Sequence, residues 1–308
     1  MSSVSPRPAS AFVVGEALID VVVDGDRRDE HPGGSPMNVA YGLARLGVPT
    51  VFRSVLGRDA RGDAIARHLA ESAATLDPAS LTDSPTSTAV ATIQADRHAE
   101  YTFDIAWNPG PLTASQDATL IHAGSIASAL EPGSDDVRRL FDSQRTGTAL
   151  LSFDPNVRPG VTPSRPAVVA AVEALAASAH VVKLSDEDAA WLFPSLSADA
   201  VLDWFLSRGA ALAAMTRGGD GALVASGADR LSLPSLPVEV VDTIGAGDSF
   251  MSGLLWAILD RGLAPKLRAG VIVRSDLEAV AAVALQSARV TVSRAGANPP
   301  TPAELAAP

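Results

Sequence analysis

The sequence predicts an α/β fold: a mainly parallel sheet with helices on both faces, and a small second β-sheet standing apart as a lid. Three observations predict it. From residue 119 onward, short apolar runs alternate with longer helix-like stretches, as in a sheet built from strand–helix–strand units. Between 86 and 107 this alternation gives way to two β-branched and aromatic runs around a polar turn, a hairpin pattern. Around 236–259 an extended run passes through two closely spaced glycines into a helix, a junction that such folds place where ligands bind.

Composition bounds the rest. A chain of 308 residues can bury a full core. The whole of 1–308 reads as one unit, with lid strands near 19–31 and 86–107 forming the small sheet. A net charge of −11 argues against nucleic acid or acidic membranes as partners, so an anionic ligand must be held by local amides and a few arginines. No cysteine is present, which excludes a disulfide framework, a thiolate metal site and a thiol nucleophile. The segment Met1-Ser2-Ser3-Val4-Ser5-Pro6-Arg7-Pro8 lacks the apolar stretch of a secretory signal, and no apolar run reaches membrane-spanning length. The expectation is a cytoplasmic protein.

Taken in order, Phe12-Val13-Val14 opens a strand that reads on through Glu16-Ala17-Leu18-Ile19-Asp20 into Val21-Val22-Val23. Burying a carboxylate is costly unless it is paired or bound to something, so Glu16 and Asp20 mark either a solvent-facing strand end or a ligand site. In Gly33-Gly34-Ser35-Pro36-Met37-Asn38-Val39-Ala40 the glycine pair lets a ligand approach the backbone, Pro36 suits a first helical turn, and Asn38 is placed to read hydroxyls. Val39, Leu43 and Leu46 give that helix an inward face and Gly47 ends it. Thr50 to Leu56 is a further strand, followed by Asp59 at a helix start, where negative charge is favoured. Thr86 to Gln94 and the alternating Tyr101, Phe103 and Ile105 are the hairpin arms, joined by Asp96-Arg97-His98. With Val21–Val23 they make a small sheet that needs the main body, a ligand or another subunit to cover it. That is the shape of a lid or of a dimer clasp.

Strands then fall at 120–122, 149–153, 180–184 and 211–215, with helices near 134–146, 164–178 and 186–207. Asp154, Asn156, Arg158, Lys183, Thr216, Gly218, Gly221 and Asp248 all lie at strand ends, and their convergence marks a site. His122 reads as a packing residue, and Trp107, Trp191, Trp204 and Trp256 as core or interface. Leu236-Pro237-Val238-Glu239-Val240-Val241 reads as a strand leading into Asp242-Thr243-Ile244-Gly245-Ala246-Gly247-Asp248-Ser249-Phe250. Phe250, Leu254 and Ile258 then recur every fourth residue, a buried helix face. Val290-Thr291-Val292 reads as a last strand before an extended tail.

The first amides of the helix after Gly247 face outward as an anion site. Asp248, on the same turn, suits a base beside a phosphate in transfer; the plain alternative is a tight turn whose Asp248 caps the helix. A P-loop needs Gly-Lys-Ser/Thr, and neither of the two lysines, Lys183 and Lys266, follows a glycine. A dinucleotide fingerprint is absent too, since Phe250 stands where its third glycine should be.

Three motifs together resemble the PfkB (ribokinase-like) carbohydrate kinases, and among them the fructokinase branch. They are Gly33-Gly34-Ser35-Pro36-Met37-Asn38-Val39-Ala40, Asp154-Pro155-Asn156-Val157-Arg158 and Asp242-Thr243-x-Gly245-Ala246-Gly247-Asp248-Ser249-Phe250, in the family's order and spacing. The resemblance runs from Gly15-Glu16-x-Leu18-Ile19-Asp20 to Arg294-Ala295-Gly296-Ala297. It implies a ribokinase-like three-layer αβα sandwich and ATP-dependent phosphorylation of a sugar hydroxyl with Mg²⁺, a monovalent cation such as K⁺ being a further candidate. Asp248 would take the proton of the attacking hydroxyl while the amides of Gly245, Ala246 and Gly247 hold the transferring phosphate. Asp20, Gly33, Gly34 and Asn38 would bind the sugar, with Asn156, Arg158 and the lid residues Arg97, Tyr101 and Phe103. Lys183, Thr216, Gly218, Gly221, Gly245, Gly247 and Asn298 would line the nucleotide site, Asn298 near the adenine. The small sheet would exclude water and join two copies as a homodimer.

Fructose, phosphorylated to fructose 6-phosphate, is the acceptor implied by the branch; 2-keto-3-deoxygluconate, ribose and other sugars stay open. A catalytically silent sugar or nucleotide sensor is the rival of another class, and loss of the base would be its mark; Asp248 is present. One departure concerns the metal. Where many members carry Asn-x-x-Glu, this chain has Ser185-Asp186-Glu187-Asp188, making the shorter Asp188 the residue implied to reach Mg²⁺ through water.

Overall fold

Residues 9–94 and 98–306 are described by the computed structural model; Arg97, expected at the lid turn, lies outside them. Four buried apolar residues, Ala11–Val14, form β1. The strand does not run on as expected. The chain breaks step at Gly15-Glu16-Ala17, and Leu18–Asp24 (β2) and Arg27–Gly33 (β3) belong to a second sheet. Gly15 permits the break: a Cβ there would lie 2.2 Å from the Pro36 ring. Ser35–Arg45 (α1) follows Gly34, whose φ of 118° suits glycine alone. Thr50–Arg53 (β4) is shorter than the sequence reading because Leu56–Gly57 (β5) pairs elsewhere, with Leu81–Thr82 (β7). Between them lie Ala60–Glu71 (α2), capped by Asp59 through the amides of Arg61 and Gly62, and Thr75–Leu76 (β6).

Thr88–Ile93 (β8) and Ala99–Asp104 (β9) are the expected hairpin arms. Thereafter strands and helices alternate: Leu120–Gly124 (β10), Gly133–Gln144 (α3), Leu150–Asp154 (β11), Arg165–Ala176 (α4) and Val181–Ser185 (β12). Asp186–Leu192 (α5), Ala198–Leu206 (α6) and Leu212–Thr216 (β13) continue the pattern. A hairpin the sequence reading did not identify, Ala222–Ser226 (β14) and Asp229–Leu233 (β15), ends the sheet. Ala246–Asp260 (α7), Ala264–Arg268 (α8), Arg274–Val292 (α9) and Pro302–Leu305 (α10) complete the chain.

Among the described residues the main sheet runs β15-β14-β13-β12-β11-β10-β1-β4-β6, parallel except for β14 and β15. Its inner strands are buried on both faces because helices cover both sides. Val13, Leu120, Leu150 and Val181 pack beneath α1, α7 and α9, while Phe12, Val14, Ile121 and Leu151 pack against α3, α4 and α6. The second sheet, β3-β2-β8-β9, stands apart as the lid.

Two other expectations are corrected. Residues 234–240 form no strand: Pro237 supplies no N–H, and Val238, Val240 and Val241 are exposed. Val290-Thr291-Val292 is the last turn of α9, not a strand. Leu277, Val280, Ala281, Ala284, Ser287 and Thr291 keep a helical period along one buried face, which overrides the β-branched character of its end.

Candidate active site

A cavity of about 890 Å³ opens at the C-terminal ends of the parallel strands, between the lid and α9. Two helix N-termini, those of α1 and α7, line it. Gly245 precedes α7 in the left-handed conformation, φ 74°, and a Cβ on it would lie 2.5 Å from that of Ala297. No side chain caps α7, so the amides of Gly247 and Asp248 lack a partner from within the helix and face an anion-favouring field. The Ala246 amide is engaged inside the turn, donating to the Thr243 carbonyl at 3.2 Å.

Asp248 lies in this first turn and both its oxygens are fixed from α1. The Ser35 hydroxyl donates to Oδ1 at 2.7 Å and the Asn38 amide to Oδ2 at 2.8 Å. Asp248 therefore aims into the cavity rather than capping α7. Ser35 was legible only as part of its glycine motif; no spacing rule marked it as the partner of a residue 213 positions away.

Deeper in, Lys183 of β12 pairs with Asp154 of β11 at 2.7 Å, both buried. Gly247 leaves room for it: a Cβ there would lie 3.0 Å from Nζ. Asp154, Asp188 and Asp248 surround this one ammonium. The excess negative charge acts on both members of the pair. Burial, with Asp188 and Asp248, pushes Asp154 up to about 6 despite Lys183; burial alone would lower Lys183, but the carboxylates hold it above its ordinary value and charged. His122 is buried in β10 with Nδ1 2.9 Å from Ser152 Oγ, pushed down to about 3 by burial, and stays neutral outside the cavity lining.

Asp20 reaches the cavity from β2 as an exposed side chain, so the solvent-facing alternative holds for it; the surrounding cavity walls still raise it by desolvation, partly offset by Arg158 and His31. Gly33 makes room for it, since a Cβ there would fall 2.0 Å from Oδ2. Gly34, Asn38, Phe103, Asn156 and Arg158 line the same end. Tyr101 does not: it stacks 6.1 Å from Phe103 and is 62% exposed. At the other end lie Thr216, Gly218 and Gly221, opposite an apolar slot that sequence reasoning missed, formed by Val238, Val240, Ile244, Leu285 and Ala288. The slot went unseen because the 236–241 and 290–292 segments read as strands. Asn298 is not in the lining; its Oδ1 is buried without a hydrogen-bond partner. Asp188 also stays out of the lining. Its Oδ1 accepts from Val157 N at 2.7 Å and its Oδ2 from Ser185 N at 2.9 Å, while Ser185 Oγ accepts from Asp188 N, a reciprocal cap on α5.

The family model described as pfkB family carbohydrate kinase matches residues 9–304. The chain is 31% identical over 253 residues to a fructokinase of Rhizobium leguminosarum bv. trifolii, covering 78% of this chain and 77% of the relative. A fructokinase double mutant from Vibrio cholerae O395, crystallised with fructose, ADP and potassium ion, superposes with a TM-score of 0.80 at 24% identity, covering 96% of this chain and 97% of that one. An aminoimidazole riboside kinase from Salmonella enterica superposes with a TM-score of 0.76 at 24% identity, covering 96% and 98%.

Proposed function

The chain belongs to the pfkB family of carbohydrate kinases, and from that membership we propose that it transfers the γ-phosphate of ATP to fructose, giving fructose 6-phosphate, with Asp248 as general base. One observation carries the reading: a carboxylate held by Ser35 and Asn38 in the first turn of α7, beside unpartnered helix amides and inside a cavity lined by Asp20, Asn156 and Arg158. Phosphoryl transfer is mainly positioning and charge stabilisation. Asp248 would accept the proton of the attacking hydroxyl, and the amides of Gly247 and Asp248, with Lys183 behind them, would receive the charge of the transferring group. Asp20 and Asn38 would orient the sugar. The apolar slot beside α9 would take the nucleotide base, with Thr216, Gly218 and Gly221 along its opposite wall.

Among the described residues no group of three or more His, Cys, Asp or Glu side chains is spaced to hold a metal ion. The excess of carboxylate around Lys183 nonetheless fits a divalent cation carried mainly by the phosphates. Asp186 and Glu187, which line the cavity, would reach it through water, rather than Asp188 with its two engaged oxygens. Bound, the metal would neutralise phosphate charge. The choice of fructose rests on the relatives; ribose, with fewer hydroxyls, and 2-keto-3-deoxygluconate, which adds a carboxylate, are the alternative acceptors. ADP release across a sugar panel, with a no-sugar blank, tests the reading: fast turnover on fructose is expected, and turnover on another sugar alone would reassign the acceptor.

We also propose that two copies pair through the lid. The face that roofs the cavity with Asp20, Ala89 and Phe103 continues outward in register as Val22, Ala91 and Tyr101. Val22 and Tyr101 are exposed there.

A further inference from the structure

Glu16 has no part in the chemistry above, yet it lines the cavity at its sugar end. It sits in the crossover from β1 to β2 and is 4% exposed, which overturns the solvent-facing alternative. Its Oε2 accepts from the Ala127 amide at 3.1 Å, and Ser125, whose hydroxyl donates to the Asn156 carbonyl at 3.5 Å, lies beside the same carboxyl. Ser125 and Asn156 both hold left-handed backbones, φ 59° and 35°, rare for residues other than glycine. They also touch, Asn156 Nδ2 lying 3.3 Å from Ser125 Oγ. A buried acid flanked by two strained residues is costly to maintain and persists where a site needs it.

Burial pushes Glu16 up to about 7, against Ser125, two backbone amides and Arg158, which all pull it down. Near neutrality much of it is therefore protonated, and a protonated carboxyl has one O–H to donate. Ala127 already donates to Oε2, which leaves Oε1 as the oxygen able to present that O–H to the cavity. We propose that Glu16 is a specificity-determining residue of the acceptor pocket, its carboxyl held at Oε2 by the Ala127 amide so as to donate a hydrogen bond to a sugar oxygen other than the one phosphorylated. The proposal rests on the sugar-kinase reading. The charged or titratable groups facing this end of the cavity are Arg158 after β11, Asp20 on β2, Asp248 on α7 behind Ser35 and Asn38 and, paired across from Asp20, His31 on β3. The turn at 125–128 and the start of α1 bring only Ser125, Ser35 and Asn38.

The test is steady-state kinetics of wild type, Glu16→Gln and Glu16→Ala on the best acceptor, with folding checked by circular dichroism. In wild type the sugar KM rises at least about threefold between about pH 6 and about pH 8, as the donated proton is lost. Glu16→Gln, whose amide keeps a donor, holds the acid-side KM across that range. Glu16→Ala holds sugar KM about tenfold or more above the acid-side wild-type value at every pH, with the effect on KM rather than kcat and the KM for ATP unmoved. Folded variants with the wild-type sugar KM and pH profile would overturn the proposal, as would a loss confined to kcat. Wild-type protein inactive on every acceptor overturns the kinase reading and this one with it; active wild type with a Glu16→Gln variant whose KM keeps the wild-type rise with pH overturns this one alone.

Discussion

At the scale of single residues, the proposed function separates groups that would act in the transition state from groups that would hold them. Asp248 would be of the first kind. Asp248→Asn keeps both hydrogen-bond neighbours within reach but removes the base, so kcat should fall at least about a hundredfold with sugar affinity little changed; turnover at the wild-type rate would refute the assignment. Ser35 belongs to the second kind, and Ser35→Ala should lower kcat by about tenfold, the worth of one hydrogen bond to a charged group. Glu16 adds a stability effect whose sign follows from its raised titration, from 4.5 to about 7. The folded state keeps the proton that the unfolded chain loses first. The stabilisation is therefore fully present below about pH 4.5 and is lost as pH rises to about 7, on the order of 3 kcal/mol in all. Thermal unfolding of wild type and Glu16→Gln should accordingly diverge as pH rises, with the variant the more stable at pH 8. A parallel pair of curves would show that burial does not control Glu16. The sequence marked Asp248, Asn38 and Asp20 because their motifs carry them. It left Ser35 and Glu16 unassigned, since a role set by a neighbour in another element has no local signature.

At the scale of elements, α7 is where sequence and function are most tightly joined. Its start depends on Gly245, and Gly245→Ala would combine a left-handed φ with a Cβ 2.5 Å from that of Ala297. A loss of about 1–3 kcal/mol is expected, together with displacement of the Asp248 turn; an unfolding midpoint equal to wild type would contradict it. Behind that turn α7 is tied to α9 by buried hydroxyls. Thr291 Oγ1 donates to Ser249 Oγ at 2.6 Å, and the Ser249 and Ser287 hydroxyls lie 2.8 Å apart. Through this network the cavity-facing wall of α9 is registered against the Asp248 turn of α7, the proposed nucleotide wall against the proposed base. The helix face behind it was readable in Phe250, Leu254 and Ile258. Its partner α9 was not, because Val290-Thr291-Val292 taken alone favours a strand and only packing of the preceding Leu277 to Ser287 face decides otherwise. The same holds for Val238 to Val241: β-branched residues need a neighbouring strand to become one, and none is paired there.

At the scale of the whole molecule, the strand–helix alternation from 119 onward was legible because both-face burial writes near-continuous apolar runs into β10 to β13. The split of the first strand between two sheets was not, since Gly15 marks a possible break without saying where the next strand goes. In the pairing proposed above, that split would couple oligomer state to the site. β2 carries Asp20 into the cavity and, two residues on, presents Val22 outward on the same face. Val22, Ala91 and Tyr101 form a cross-strand row with no cover from the main body, and a two-sided sheet of four strands is stabilised by covering both faces. A second copy seated on that row would cover it and steady the strand that holds Asp20. Light scattering at micromolar concentration should therefore give a dimer mass, and Tyr101→Glu should give a monomer whose sugar KM rises several-fold while its affinity for ATP, bound at the far end of the cavity, holds. A wild-type monomer would remove the pairing. A Tyr101→Glu monomer with an unchanged sugar KM would keep the pairing but sever it from the acceptor site.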